Sequence, residues 1–491
     1  MHHVISMPEL LNLIFSFSDK KSNCNNVSVC RRWYDSCLPV LWYEVSTKSD
    51  FNRLFNILGI LPTRKVGIHH VPSGSPFIDS VSGFGEAEWT RFILHAKLIR
   101  VICSDDWDHH TASFETIAHT RPVLNLFPNL HTLEWKARCP ISALHKCRVV
   151  ERTPTILNYI SRMSMLEHLD IDIAGCAPNV LELEAIKSLE RLKTINLPPF
   201  NLSTQIIEAL SYLPNLLEVK CQELDQARIP SPIPPSDIHF SQGAFRSLRG
   251  LWLTVDVPST ILLLNQEFFP SQIQELSLAM PIIQQPTAVH ELLEVIANKC
   301  PMLEAFSFND STTEDIDDIP SLTLKDISPI LSYPRLKSLK IRHSVPLALE
   351  KSDIEVLASS LTPIECLCLN ELPVLDRSQG LPLDALLSFA RHCPRLKCLG
   401  LLIDATLNNT TDIQSFHTLQ RLSMGYSNIE DYRPVVYFLA KICPLGCEVE
   451  SEPFWGDNTE SKMWAKVNEV LPLLVTMRTE LRKKEMQESD R

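Results

Sequence analysis

Beyond residue 129 the hydrophobic positions follow one phrase: apolar, any two, apolar, any one, apolar. Eleven copies occur. They are Leu130-Leu133-Trp135, Leu166-Leu169-Ile171, Leu192-Ile195-Leu197, Leu216-Val219-Cys221, Leu248-Leu251-Leu253, Ile273-Leu276-Leu278, Leu303-Phe306-Phe308, Leu336-Leu339-Ile341, Ile364-Leu367-Leu369, Leu396-Leu399-Leu401 and Leu419-Leu422-Met424. Alternate side chains of a strand point to opposite faces, so the last two apolar residues of each copy share a buried face. Their starts lie 23 to 36 residues apart. Stretches at helical spacing intervene, such as His290–Ala297 before Leu303 and Leu383–Ala390 before Leu396. Proline at Cys300-Pro301 and Cys393-Pro394, softened to Phe127-Pro128, Leu213-Pro214 and Tyr333-Pro334, ends each helix and frees the chain to enter a strand. The pattern predicts an α/β solenoid with a parallel inner sheet and outer helices, each repeat covering the apolar face of its neighbour.

Phe92–Cys103 reads as a degenerate first repeat and Cys443–Val449 as an atypical last one. Lys462–Leu481 is then expected to be helical, and Arg482–Arg491 a frayed, charged tail. Val71–Gly85, rich in Pro, Ser and Gly, is expected to be a loop.

The first 45 residues do not repeat. Pro8 suits a first helical turn, and Leu10, Leu11, Ile14 and Phe15 follow at helical spacing as one apolar face. The polar run Asp19–Asn26 breaks that pattern as a short helix or turn. Val27, Cys30, Trp33, Tyr34 and Cys37 resume it, and Pro39 is expected to stop the helix before Trp42 returns an aromatic to the core. One more helix is expected between Ser46 and Ile60. So short a segment buries only a thin core, and its apolar surplus suggests an interface.

The order Pro-Glu-Leu-Leu, Ile-Phe, Val-Cys-Arg-Arg-Trp, Leu-Trp resembles the F-box, specifically the version heading many basidiomycete F-box proteins. The repeat spacing and its Cys-Pro-x-Leu variant resemble the leucine-rich repeats of F-box proteins. The resemblance implies a helical F-box hairpin at 1–45, a helical linker and loop at 46–91, a leucine-rich-repeat solenoid at 92–450, and a C-terminal helix and tail at 451–491. It also implies docking to the Skp-type adaptor of a cullin-RING ubiquitin ligase. By position, Met7, Pro8, Leu10, Leu11, Ile14 and Phe15 would supply the first adaptor-facing stretch, and Val29, Cys30, Trp33 and Trp42 the second. Ser18 and Cys24 stand where the family more often has leucine, and Met7 replaces the usual leucine before proline.

Composition narrows the classes. Hydrophobic residues at 45% and charged residues at 21% suit a folded chain with a large core. A net charge of -12 opposes attraction to phosphate backbones or anionic lipid, so neither nucleic acid nor membrane is an expected partner. Fifteen cysteines in mostly apolar contexts suit buried thiols in the cytoplasm or nucleus. The close pairs Cys366/Cys368 and Cys443/Cys447 lack the second half of a zinc site. Phosphate-binding, hydrolase and zincin motifs are absent, and 13 glycines leave little material for them, so no cofactor and no catalysis are expected.

The residue between the last two apolar positions of each phrase should face the open inner wall. That row runs from Glu134 and Asp170 through Lys220 and Trp252 to Lys340, with Arg342 in the next row. Trp252 is either an anchor for a partner or covered by the insertion Gln222–Phe245. The acidic run Asp310–Asp318 is expected to be a solvated loop. The reading is therefore the substrate-recognition subunit of a ubiquitin ligase. Its alternative is a repeat scaffold or inhibitor whose N-terminal helices merely cap the array; an enzyme partner offering Arg91 or Arg342 to a nucleotide hydrolase is a distant third.

Overall fold

The computed structural model describes residues 7–58, 85–104, 117, 125–137, 160, 162–173, 186–197, 204–221, 239–310, 320–374, 380–405, 413–452 and 459–489. The loop expected at Val71–Gly85 lies almost entirely outside them, as do most of the insertion after Gln222, His109-His110 and the acidic run after Asp310. The chain divides into two compact units, Met1–Gln222 with Ser241–Leu248, and Glu223–Phe240 with Arg249–Arg491.

The first unit opens with α1 (Pro8–Ser16), α2 (Lys20–Asn26), α3 (Arg31–Leu41) and α4 (Lys48–Asn56). Asp19 caps α2 by accepting from the Ser22 N–H at 2.8 Å, which is why the polar run folds as a helix. Pro39 does not stop α3; it occupies the last turn, and the helix ends at Leu41. Only one intrahelical bond is lost to a proline so close to the end.

Its strands are β1 (Glu44–Val45), β2 (Val101–Ser104), β3 (Thr132–Ala137), β4 (His168–Ile173), β5 (Thr194–Leu197) and β6 (Glu218–Cys221), parallel and in chain order. Helix α5 (Glu86–Ala96) precedes β2, so the degenerate first repeat exists as helix and strand. The hairpin's exit also joins the sheet: Glu44 pairs with Val101 and Val45 with Ile102. The repeat phrase does not extend to this edge strand, and the sequence reading missed it.

In the second unit β7 (Gly250–Thr254), β8 (Glu275–Ala279), β9 (Ala305–Asn309), β10 (Ser338–Arg342) and β11 (Cys366–Leu369) continue the parallel pattern. A small β12 (Leu381–Pro382) stands apart, and β13 (Cys398–Leu401) resumes the main sheet. Then β14 (Ile403–Asp404) pairs with β12, while β15 (Arg421–Ser423) and β16 (Glu448–Glu450) complete the main order. All eleven phrases are strands, and the atypical last unit supplies β16. The fold class read from the chain, a helical N-terminal region followed by a parallel sheet with helices, is the one observed.

The phrase positions Leu133, Leu169, Ile195 and Val219 in one unit, and Leu276, Phe306, Leu339, Leu367, Leu399 and Leu422 in the other, are all buried. Cys300 and Cys393, just past two helix ends, are sealed beside them. The Cys393 thiol donates to the Ala358 carbonyl at 3.4 Å. Cys-Pro thus supplies a small buried thiol and a helix stop in two residues.

The C-terminal helix runs Thr459–Ser489, through most of the expected tail. Glu, Leu, Lys, Arg, Met and Gln fill residues 480–487 and are good helix formers. Trp464, Val467, Leu471 and Val475 bury one face. Arg478 donates to the carbonyls of Lys441 at 2.6 Å and Cys443 at 2.7 Å, satisfying groups the helix Tyr432–Ile442 leaves open at its end. Asp310, first residue of the acidic run, is sealed rather than solvated and pairs with buried His343 at 2.7 Å. No described helix is long and apolar enough to cross a membrane.

Candidate functional site

Helix α1 is apolar on two faces, not one. Leu11 and Phe15, one turn apart, point inward and are each 1% exposed. With Cys37 they form a small core, on which Val27, Trp33, Val40 and Leu41 pack. The Phe15 and Trp33 rings meet edge to face with centroids 5.3 Å apart. Asn23 locks the hairpin: its amide donates to the Phe15 carbonyl at 2.8 Å, and the Cys37 thiol donates to the Asn23 carbonyl at 3.4 Å. The other end of the buried side-chain amide is engaged too, its Oδ1 accepting from the Asn26 amide at 3.2 Å.

The second face carries Leu10, Leu13, Ile14 and Phe17, at i, i+3, i+4 and i+7. Leu10 is half-buried, Leu13 and Ile14 are about half exposed, and Phe17 is 84% exposed. An exposed phenylalanine beside two exposed aliphatic residues on one helix is a surface that water disfavours. A concavity of about 650 Å³, lined by Asn12, Ser16, Ser18 and Lys20 among others, lies along the polar edge of α1 instead.

The structure therefore corrects the expected adaptor-facing set. Leu11 and Phe15 are core residues and offer nothing to an outside protein. Trp33 is half-buried against Phe15, and half-buried Trp42 meets His95 of α5 edge to face with centroids 5.1 Å apart. Cys30 is half-buried as the N-cap residue of α3. Met7, Pro8, Ile14 and Val29 are exposed. Leu13, Phe17 and Tyr34, outside the expected set, are exposed as well. The signal for the first two was present, since a helix with apolar residues at 10, 11, 13, 14, 15 and 17 has more than one core can absorb.

Beneath the hairpin, Lys20 bridges α2 to α4 and β1: its ammonium lies 2.6 Å from the Asp50 carboxylate and donates to the Glu44 carbonyl at 3.2 Å. Burial alone would raise the Asp50 carboxyl. Hydrogen bonds from Lys20 and from the Thr47 hydroxyl and N–H outweigh it and hold the group below the usual carboxylate range.

The outward row of the sheet is in register as the alternation predicts. In the first unit Glu134 stands opposite Asp170, Asp170 opposite Asn196, and Asn196 opposite Lys220. The Asn196 amide donates to Asp170 at 3.0 Å, and Lys220 pairs with Glu218 at 2.7 Å. In the second unit the row runs Trp252, Ser277, Ser307, Lys340, Cys368, Gly400, Ser423. Trp252 is half-buried, while Lys340 and Arg342 are exposed two residues apart on β10. Arg342 lies 4.0 Å from Glu371. Among the described residues no group of His, Cys, Asp and Glu could hold a metal ion.

No curated protein sequence matches the chain. The solved structures to which it is similar include the following three. The TLR13–ssRNA13 complex aligns at 13% identity and a TM-score of 0.34, covering 76% of this chain and 54% of that one. The Toll–Spätzle complex of Drosophila aligns at 12% and 0.34, covering 73% and 48%. An internalin from Listeria monocytogenes aligns at 15% and 0.32, covering 68% and 83%. This chain spans about half the length of the first two, and at this distance none of the three assigns anything to it. Residues 8–48, which span α1 to α3, β1 and the start of α4, match the family described as F-box-like, so the chain carries an F-box-like domain ahead of its repeat sheet.

Proposed function

We propose that this protein is a substrate-recognition subunit of a cullin-RING ubiquitin ligase, its F-box-like domain gripping a Skp-type adaptor and its sheet holding a target protein. The observation that carries the reading is the exposed stripe Leu13, Ile14 and Phe17 on a helix whose other apolar face is already satisfied by its own core. A two-faced apolar helix in a thin domain gains stability by docking its free face on a partner's groove. Through the adaptor the chain would meet a cullin, in the cytoplasm or nucleus. The basidiomycete version of the F-box remains part of this reading.

The target surface is the outward rows: Glu134, Asp170 and Lys220 in the first unit, and Trp252, Lys340 and Arg342 in the second. In the second unit a half-buried indole and two exposed cations on outward rows of the same sheet suit a protein segment, with the indole as anchor and the charges setting orientation. The chain would form no bonds itself. It would raise the effective concentration of the target beside the transfer machinery.

Co-purification tests this directly. The full chain is expected to retain a Skp-type adaptor, and Ile14→Asp with Phe17→Asp to lose it while circular dichroism stays unchanged. Equal recovery of the adaptor by both proteins would favour the scaffold reading.

A further inference from the structure

Three cysteines lie together on the outward face of β11 and β13. Cys366 stands directly opposite Cys398, and Cys368 follows Cys366 on the same face of the same strand. All three are half-buried free thiols. On the other side of β11, Ser338 stands opposite Cys366 and Lys340 opposite Cys368. Gly400 is the partner of Cys368, and a Cβ there would sit 3.2 Å from the Cys368 sulfur and 3.2 Å from the Glu371 carboxyl carbon. The missing side chain leaves the sulfurs room.

We propose that Cys366 is a peroxide-reactive thiol and Cys398 its resolving partner, forming a reversible disulfide across the sheet. The assignment does not depend on the ligase reading.

Geometry selects the pair. Neighbouring strands lie about 4.8 Å apart, within the roughly 4.4–6.8 Å between Cα atoms that a disulfide spans. Side chains at i and i+2 of a strand stand nearly parallel, so the Cβ atoms of Cys366 and Cys368 are also two rises apart, ~6.6 Å. That is well beyond the roughly 3.5–4.5 Å a disulfide needs, whereas those of Cys366 and Cys398 are separated only by the strand spacing of about 4.8 Å. Cys368 is therefore a hydrogen-bond donor and not the resolving thiol.

Electrostatics selects the nucleophile. Cys366 is lowered to about 6, chiefly by a hydrogen bond from the Cys368 thiol and, against burial, by the Lys340 charge, Ser338 and Cys398. Burial and the neighbouring Cys366 raise Cys398, although Arg421 and Lys340 oppose this. Cys368 is raised by its bond to Cys366, by burial and by Glu371. One thiolate is thus held by two protonated thiols. At pH 7 it is therefore ionised to a greater extent than an ordinary thiol.

In the first step the Cys366 sulfur attacks one oxygen of hydrogen peroxide. The O–O bond breaks, hydroxide leaves and takes a solvent proton, and the sulfur becomes a sulfenic acid. The Cys398 sulfur then attacks the Cys366 sulfur and expels hydroxide, which departs as water with the Cys398 proton. Together with the Cys366 proton already given up to solvent, two thiols and one peroxide become one disulfide and two waters.

The test uses the full chain, reduced, freed of reductant and titrated with hydrogen peroxide, with remaining thiols then blocked by iodoacetamide. Trypsin leaves Cys366 and Cys368 on one peptide, 352–377, and Cys398 on another, 398–421. The expected product is a cross-link between these two peptides, reversed by dithiothreitol. In Cys398→Ser the sulfenic acid should persist and be captured on Cys366 by dimedone. Cys300 and Cys393, which burial pushes up to about 12, serve as unreactive references. At pH 7 Cys366 should be alkylated at least tenfold faster than either, a reading that requires no variant. A link confined to 352–377, or Cys366 reacting no faster than Cys393, overturns the proposal.

Discussion

At the scale of the residue, the decisive contrast lies across the end of one helix. Phe15 and Phe17 are two positions apart, yet one is 1% and the other 84% exposed. Replacing Phe15 by alanine should therefore cost about 3–5 kcal/mol and Leu11→Ala about 2–5 kcal/mol, measured by urea denaturation of the full chain with hydrogen exchange localising the loss to residues 8–48. Ile14→Asp and Phe17→Asp should change stability by no more than about 0.5 kcal/mol. A large loss from either would mean that the stripe is structural. Asp50 supplies a pH signature. Its folded pKa lies below the unfolded value, so its stabilisation is complete above about pH 4 and is lost as the pH falls through the lower folded value. Protection of residues 44–56, compared at matched pH, should fall on acidification in the full chain and less so in Asp50→Asn. Parallel curves would remove the Lys20–Asp50 bridge from the account. Sequence alone exposed the apolar excess of α1 but not its division, because which of two adjacent stripes faces inward depends on where Asn23, Trp33 and Cys37 arrive from other helices.

At the scale of the element, strands were far more legible than helices. A period of two separates inward from outward residues without reference to any neighbour, and eleven repetitions removed the ambiguity of one. The row through Trp252, Lys340 and Cys368 was readable for that reason. Edge strand β1 and the β12–β14 pair were not, being two residues each and outside the phrase. A ladder of charge also went unread: Lys337 meets Glu304 at 2.6 Å and Lys397 meets Glu365 at 2.6 Å, each from the residue just before a strand. These pairs follow the register and do little to hold it, since exposed ion pairs contribute under about 1 kcal/mol. Lys337→Met should accordingly shift the urea midpoint slightly, whereas Leu339→Ala, two residues on and fully buried, should cost about 2–5 kcal/mol. Similar effects from both would contradict the assignment of stability to the buried row. Gly425 marks a different constraint. Its φ of +48° and the Glu371 carbonyl where a Cβ would lie both require glycine, and nothing in the repeat phrase announces it.

At the scale of the whole molecule, a thin helical domain with a free apolar stripe and a long parallel sheet with polar rows are joined in one chain. The sheet's rows name a kind of partner but no particular one, because outward positions are the residues the fold leaves unconstrained. The stripe is more specific, lying at one helix within the residues that match an F-box-like domain. Its role is measured most directly by the equilibrium affinity of the purified full-length protein for a purified Skp-type adaptor, beside Phe17→Asp. The account predicts saturable one-to-one binding that weakens at least about 30-fold in the variant, the effect of losing a hot spot worth roughly 2 kcal/mol. Indistinguishable affinities, or no binding by the unaltered chain, would contradict it.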